Sequence, residues 1–309
     1  VTSATEGAAL DPVSHIGKAL GLPGVRAAIG VRRGANAKAS LHLFGADGVP
    51  MGLAKVSWNV LTREYVTTES RVLAELGGKA GTVRTPLLSA SGSLGREHYL
   101  VAEPLPHHVA HSGGPAGLSL RELTGMFAIT RSDQPTRSAQ LLTASRRLRA
   151  TLPIVGAPAM HEAFEALWAA LLETSTRVSI AERWHGDLVP WNLGRDADGQ
   201  AWLWDWESSE ADAVAGLDAI HWTIHSQPGW ERQSVASNLR KARPAVEIVL
   251  CALGHGRQQQ RVVCATYALT IAARMADLAA AHGDWQRVRI SQMQATDLLR
   301  LGKQILTEG

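Results

Sequence analysis

The apolar pattern of this chain changes period about a third of the way along. That change constrains the fold more than any single residue does. Between residues 24 and 104 the apolar runs are short and split by turn chemistry: GVRAAIGV, ASLHLFGADG, MGLAKVSW, TPLLSA and EHYLVAEPLP. They read as strands, with GADG at 45–48 as a hairpin signal. One stretch, EYVTTESRVLAELGGK, departs from this: Val66, Val72, Leu73 and Leu76 recur at helical spacing and Gly77-Gly78 closes the run. Beyond Pro104 and Pro106 the pattern predicts helices over 118–130, 139–151 and 161–174, and again from Asp218 to the end. RVSIAERWHGD leads out of the third of these helices, and AWLWDWE reads as a strand, with Trp202, Trp204 and Trp206 alternating onto one face. The expectation is an α+β chain of two lobes. A small N-terminal antiparallel sheet with one helix spans 23–103, a larger, mainly helical C-terminal lobe spans 104–309, and residues 1–22 form a flexible lead-in.

Composition narrows the class. With 309 residues and 45% hydrophobic content the chain can bury a sizeable core. A formal net charge of +3 is too small and dispersed to argue for nucleic acid. No uninterrupted apolar run reaches the roughly 18 residues of a membrane span, and VVCATYALTIAARMADLAAAHG, interrupted by Arg274 and Asp277, reads as a buried helix. VTSATEGAALDPVSH lacks the features of a secretory signal. Cys251 and Cys264, in one apolar helical region, read as reduced, buried thiols, and the expected location is cytoplasmic.

The chemistry concentrates in HGDLVPWN, His185 to Asn192. Phosphoryl transfer requires an oriented hydroxyl and metal ions holding the phosphates. A loop His-x-Asp-x-x-x-x-Asn supplies an Asp for the hydroxyl proton, here Asp187, and an Asn for a metal, here Asn192. Asp205 in LWDWE is placed to be the second metal ligand, and such oxygen ligands suit Mg²⁺. The same chemistry needs an upstream Lys on a strand, paired with a Glu on the next helix. Lys55 in GLAKVSW and Glu69 in TTESRVLAEL occupy those places, Glu64 being a substitute that the register of Leu73 and Leu76 disfavours.

HGDLVPWN followed by WLWDWE resembles the aminoglycoside phosphotransferase and choline kinase superfamily, a branch of the protein-kinase-like fold that phosphorylates small molecules. The resemblance is specific at 53–76 and 183–222. It implies that Asp187 is the catalytic base, His185 shapes the loop, Asn192 and Asp205 hold Mg²⁺, and Lys55 with Glu69 anchors the phosphates of ATP in a nucleotide-binding N-terminal lobe. It further implies a hinge at Glu103 to Leu105 for adenine, Glu207 supporting the metal site, and Asp218 bracing the loop. Gly186, where protein kinases carry Arg, points away from regulated protein kinases. The sequence departs from the family in RRGANAKAS, which lacks Gly-x-Gly-x-x-Gly and leaves Gly34, Asn36 and Ser40 as the phosphate contacts, and in AVAGLDAIHW, which lacks the Pro of Gly-x-Pro.

The implied function is ATP-dependent phosphorylation of a hydroxyl on a small molecule such as a sugar, an antibiotic or a natural-product intermediate. The rivals are a kinase tailoring a peptide or protein and a catalytically silent binding fold. Ten Trp suggest a cage for a cationic ligand, but packing is the stronger reading. His107, His108 and His111 read as solvated loop. The carboxylates after Asp205 are scattered, so a polycationic acceptor is disfavoured against a neutral or weakly charged one. His221, Trp222, His225 and Trp230 are the candidate pocket residues.

Overall fold

The computed structural model describes residues 11–31, 36–111 and 117–308. The chain forms two compact units, one of residues 1–78 and 86–106, the other of 79–85 and 107–309. The division lies after Pro106, within the Pro-containing segment where the sequence pattern changes.

The first unit begins with α1 (Pro12–Ala19). Asp11 caps it by accepting the Val13 and Ser14 amides, and Pro12 supplies a preset first turn. Ile16 is fully buried among Leu41, Leu43, Ala54, Val56, Tyr99 and Val101. The expected lead-in therefore gives way to structure from residue 11, and the signal lay in Asp11-Pro12 followed by Val13, Ile16 and Leu20 at helical spacing. β1 (Arg26–Val31), β2 (Ala39–Phe44) and β3 (Pro50–Val56) follow as antiparallel neighbours. α2 (Val60–Leu76) starts at Asn59, which exchanges hydrogen bonds with Thr62 in a capping box, and stops at Gly77 in the left-handed region, φ 56°. Its buried face carries Val66, Val72 and Leu73, each contributing about 2 kcal/mol by burial. The short β4 (Lys79–Ala80) and β5 (Val83–Arg84) pair within the second unit. β6 (Leu88–Leu94) and β7 (Glu97–Ala102) complete a five-stranded sheet of order β1-β2-β3-β7-β6.

The second unit contains β8 (Ala110–His111), α3 (Leu120–Gly125), β9 (Ile129–Asp133), α4 (Ala139–Val155), α5 (Pro158–Glu173), β10 (Val178–Trp184), β11 (Leu193–Arg195), β12 (Ala201–Leu203) and β13 (Glu210–Val214). The helices α6 (Leu217–His225), α7 (Val235–Ala252), α8 (Arg257–His282) and α9 (Gln292–Thr307) close it. The expected helix over 118–130 is two elements. α3 ends at Gly125, and the β-branched pair Ile129-Thr130 opens a strand against β10, with the Thr130 hydroxyl donating to the Ile180 carbonyl at 3.1 Å. The three tryptophans do not share a strand face. β12 ends at Leu203, Trp206 lies fully buried in a 3₁₀ turn, and Trp202 donates to Asp196 Oδ2 at 2.9 Å.

α8 is the spine of the helical core. Tyr267, Leu269, Ile271 and its alanines pack against α4, α5, α6 and α9. By length and composition it could cross a membrane, but 83% of its most apolar window is buried inside the protein. Cys264 is buried on α8 and Cys251 exposed on α7, so only one of the two thiols is in the core.

Candidate active site

In the first unit, regular elements hold the expected phosphate anchor. Lys55 on β3 and Glu69 on α2 form a buried pair, Nζ to the two carboxylate oxygens at 2.6 and 2.7 Å. Glu64 is exposed on the same helix. Ser40 lies directly across from Lys55 in the β2–β3 ladder, so the two side chains share a face. Asn36 is exposed just before β2, and Gly34 lies outside the described residues. Glu103 and Leu105 follow β7. The Glu103 amide donates to the Leu87 carbonyl at 2.8 Å, its side chain is exposed, and Leu105 is half-buried.

In the second unit the loop from His185 to Asn192 joins β10 to β11, and side-chain to backbone bonds fix it. Asp218, in the first turn of α6, accepts the amides of His185 at 2.7 Å and Gly186 at 3.0 Å. Gly186 has φ +85°, and a Cβ there would sit 2.1 Å from the Ser208 carbonyl oxygen, so glycine is required by both conformation and space. Burial pushes the Asp218 carboxyl up to about 6 against the two amides that lower it, so it is ionised near neutral pH.

His185 is wholly buried. Its Nδ1 accepts the Asp187 amide at 3.2 Å, which places the ring proton on Nε2, 3.2 Å from the Trp204 carbonyl. Burial drops its pKa to about 4, so it is a neutral strut. Trp204 in turn donates its amide to the Asn192 carbonyl at 3.2 Å. Asn192 Nδ2 donates to the carbonyl and to Oδ2 of Asp187, at 3.0 and 3.1 Å. The bonds run 187 to 185 to 204 to 192 and back to 187, a closed circuit.

The circuit spends the amide nitrogen of Asn192 on Asp187, so Oδ1 is the atom of this side chain that could meet a metal. Leu193 pairs with Leu203 across the β11–β12 hairpin, so Asn192 and the Trp204-Asp205 step lie at the same end of it. Asp205 has φ 70°, a left-handed conformation that costs a non-glycine residue about 1 kcal/mol and is held by the hairpin and the following 3₁₀ turn. An amide oxygen and a carboxylate are a hard donor set that fits Mg²⁺. Glu207 is buried within that turn.

Around Asp187 the structure gathers residues from three further segments. The carboxyl is pushed above its usual range by burial and by Asp205, against the Arg274 guanidinium. About 37% of its side chain still reaches solvent, which screens that push. His221 Nε2 lies 3.5 Å from Asp187 Oδ1, and His221 Nδ1 is 3.0 Å from the Tyr267 hydroxyl. Burial holds His221 neutral, its pKa well below the usual value. His225 packs on His221 at 4.1 Å between ring centroids and donates from Nδ1 to its carbonyl at 2.8 Å. Burial lowers His225 to about 3. Trp230 packs on His225 at 4.3 Å and stacks on Trp191 at 5.2 Å.

Trp222 is not part of this group. One residue along α6 from His221 turns it to another face, where it is buried beside Gly117. Sequence reasoning missed Arg274 and Tyr267 on α8 and Trp191 in the loop. Arg274 donates to the Gly186 carbonyl at 2.5 Å and lies over the Trp184 ring. Its one signal was a charge inside an otherwise apolar helix. His107 and His108 pack edge to face as exposed loop side chains, and the side chain of His111 lies outside the described residues.

No family model and no curated protein matches the sequence. Solved structures match over nearly the whole length. "Macrolide 2'-phosphotransferase type I" has a TM-score of 0.54 at 14% identity, with 93% of this chain and 99% of that one covered. Choline kinase LicA from Streptococcus pneumoniae has a TM-score of 0.52 at 12% identity, covering 92% and 96%. A structure of LicA in complex with AMP has a TM-score of 0.54 at 12% identity, also covering 92% and 96%. Through these matches the chain is seen to share the two-lobed kinase-like fold of the macrolide 2'-phosphotransferase and LicA structures.

Proposed function

We propose that this protein is an ATP- and Mg²⁺-dependent phosphotransferase acting on a hydroxyl of a small molecule. The observation that carries the reading is the closed circuit, which aims the Asp187 carboxylate and reserves the Asn192 oxygen. Asp187 accepts the proton of the acceptor hydroxyl as its oxygen bonds to the γ-phosphorus. The bond from that phosphorus to the β,γ-bridging oxygen breaks, and ADP leaves. Asn192 Oδ1 and the Asp205 carboxylate are the groups that would hold Mg²⁺, which when bound neutralises phosphate charge. Lys55, kept in place by Glu69, anchors the phosphates. Ser40 and Asn36 are the nearest described contacts for the phosphate loop, and the segment from Glu103 to Leu105 offers backbone groups to adenine. The overlap in fold with a LicA structure that holds AMP supports a nucleotide ligand.

The test separates binding from chemistry. Asp187→Asn should keep Mg²⁺-dependent thermal stabilisation by ATP and lose turnover by about 10²-fold or more. Asp205→Ala should lose the Mg²⁺-dependent stabilisation. A folded Asp187→Asn protein with near-normal turnover would overturn the assignment.

A further inference from the structure

The ring cluster beside Asp187 ends in a positive charge. Arg289 lies over the Trp230 ring, its guanidinium carbon 3.9 Å from the centroid. Among the described residues it makes no ion pair within 4 Å. Trp191 shows 44% of its surface to solvent, and Trp230 is half-buried. His221 and His225 are held neutral by burial, so Arg289 is the one charge on this wall.

Most of the carboxylates that follow Glu207 are committed elsewhere, and the two others, Glu231 and Asp284, have exposed side chains. Glu210 and Asp277 pair with Arg147, Asp212 with Arg131, Glu247 and Glu308 with Arg243, and Asp297 with Arg300. Asp218 is spent on the loop amides. An ammonium group on this wall would meet the like charge of Arg289, whereas a carboxylate or phosphate would find a guanidinium held against an aromatic face.

We propose that the wall formed by Trp191, His225, Trp230 and Arg289 is an acceptor subsite, and that its ligand is a hydroxyl compound with a flat face and an anionic group. The ring or sugar face stacks on the exposed tryptophan. The anion pairs with Arg289, and the hydroxyl is presented toward Asp187. The inference rests on the phosphotransferase reading for the fate of the hydroxyl and not for the binding itself.

The experiment uses three matched probes: phenyl β-D-glucuronide, phenyl β-D-glucoside and phenyl β-D-glucosaminide. Binding is measured by calorimetry on the whole protein with Mg²⁺ and a non-hydrolysable ATP analogue, and phosphate transfer is measured separately with ATP. The expected result is that the glucuronide binds about tenfold more tightly than the glucoside, and that the glucosaminide is weakest. Arg289→Ala should abolish the first difference by weakening the glucuronide far more than the glucoside, and Arg289→Lys should restore part of it. Trp230→Ala should weaken all three. Preference for the glucosaminide, equal affinities, or no binding by any of the three overturns the proposal. Binding with the expected order but without transfer supports the subsite and counts against the phosphotransferase reading. Transfer with no preference for the anion does the reverse.

Discussion

The two units hold their expected functional groups by different means. Lys55 and Glu69 sit on a strand and a helix whose positions follow from periodic burial and a capping box, and one ion pair joins them. Asp187, Asn192 and Asp205 sit on irregular backbone, positioned by a glycine with no room for a side chain, a left-handed aspartate and a circuit of hydrogen bonds. The first arrangement places charge through secondary structure. The second places it through close approach. Replacing both partners of the pair by apolar side chains should spare the first in fold though not in function, while the second should fail on sterics alone.

The largest expected effect tests that difference directly. Gly186→Ala should destabilise the protein by about 3 kcal/mol or more, since the new methyl meets backbone and the conformation is strained. Gly77→Ala, at a positive φ with open space around it, should cost about 1 kcal/mol. Denaturant unfolding of both variants checks the contrast, and similar losses would show that close packing of the loop is not what distinguishes the second unit.

Next in size is the buried pair. Glu69→Gln removes the carboxylate that faces the buried Lys55 ammonium at 2.6 Å and should cost about 3 kcal/mol. Lys55→Met combined with Glu69→Leu should recover stability to within about 1 kcal/mol of the parent while ATP use stays lost. Unfolding curves read beside phosphotransfer assays decide it. A double variant as unstable as Glu69→Gln would mean that the pair is structural.

What the sequence revealed divides along the same line. Lys55 and Glu69 were readable because a strand and a helix announce themselves by period. HGDLVPWN was readable because its spacing is fixed by covalent geometry. Tyr267 and Arg274 were not, since they reach the loop from α8, and a long-range contact has no local pattern. β9 was taken into a helix because four apolar or small residues, Gly125 to Ala128, bridge two elements without a strong break. Trp222 was grouped with His221 by proximity in sequence, when the rotation of the helix parts them.

The smallest expected effect is a pH dependence within the second unit. Arg195 on β11 donates to both oxygens of Glu122 on α3, at 2.9 and 2.8 Å, and holds that carboxyl down at about 2. A folded-state value below the usual one stabilises at all pH above the ordinary carboxylate range, and the gain is lost as pH falls from about 4.5 towards 2. Glu122→Gln should therefore lower the melting temperature near neutrality, by an amount equivalent to about 1 kcal/mol. The gap to the parent should close across that acid interval, and a gap independent of pH would remove the ion pair as its cause.

The circuit through His185, Trp204, Asn192 and Asp187 has one more consequence. A chain of bonds with free ends can fray from either end, but a closed loop has none. Opening any one of its links removes the geometric support of the next, so the segment has no stable half-formed state. It should behave as a single cooperative unit, assembled or absent, with its opening set by the whole set of bonds and not by the weakest of them. A loop built in this way keeps its carboxylate aimed whether or not a ligand is bound, and the entropy of aiming is spent once, during folding.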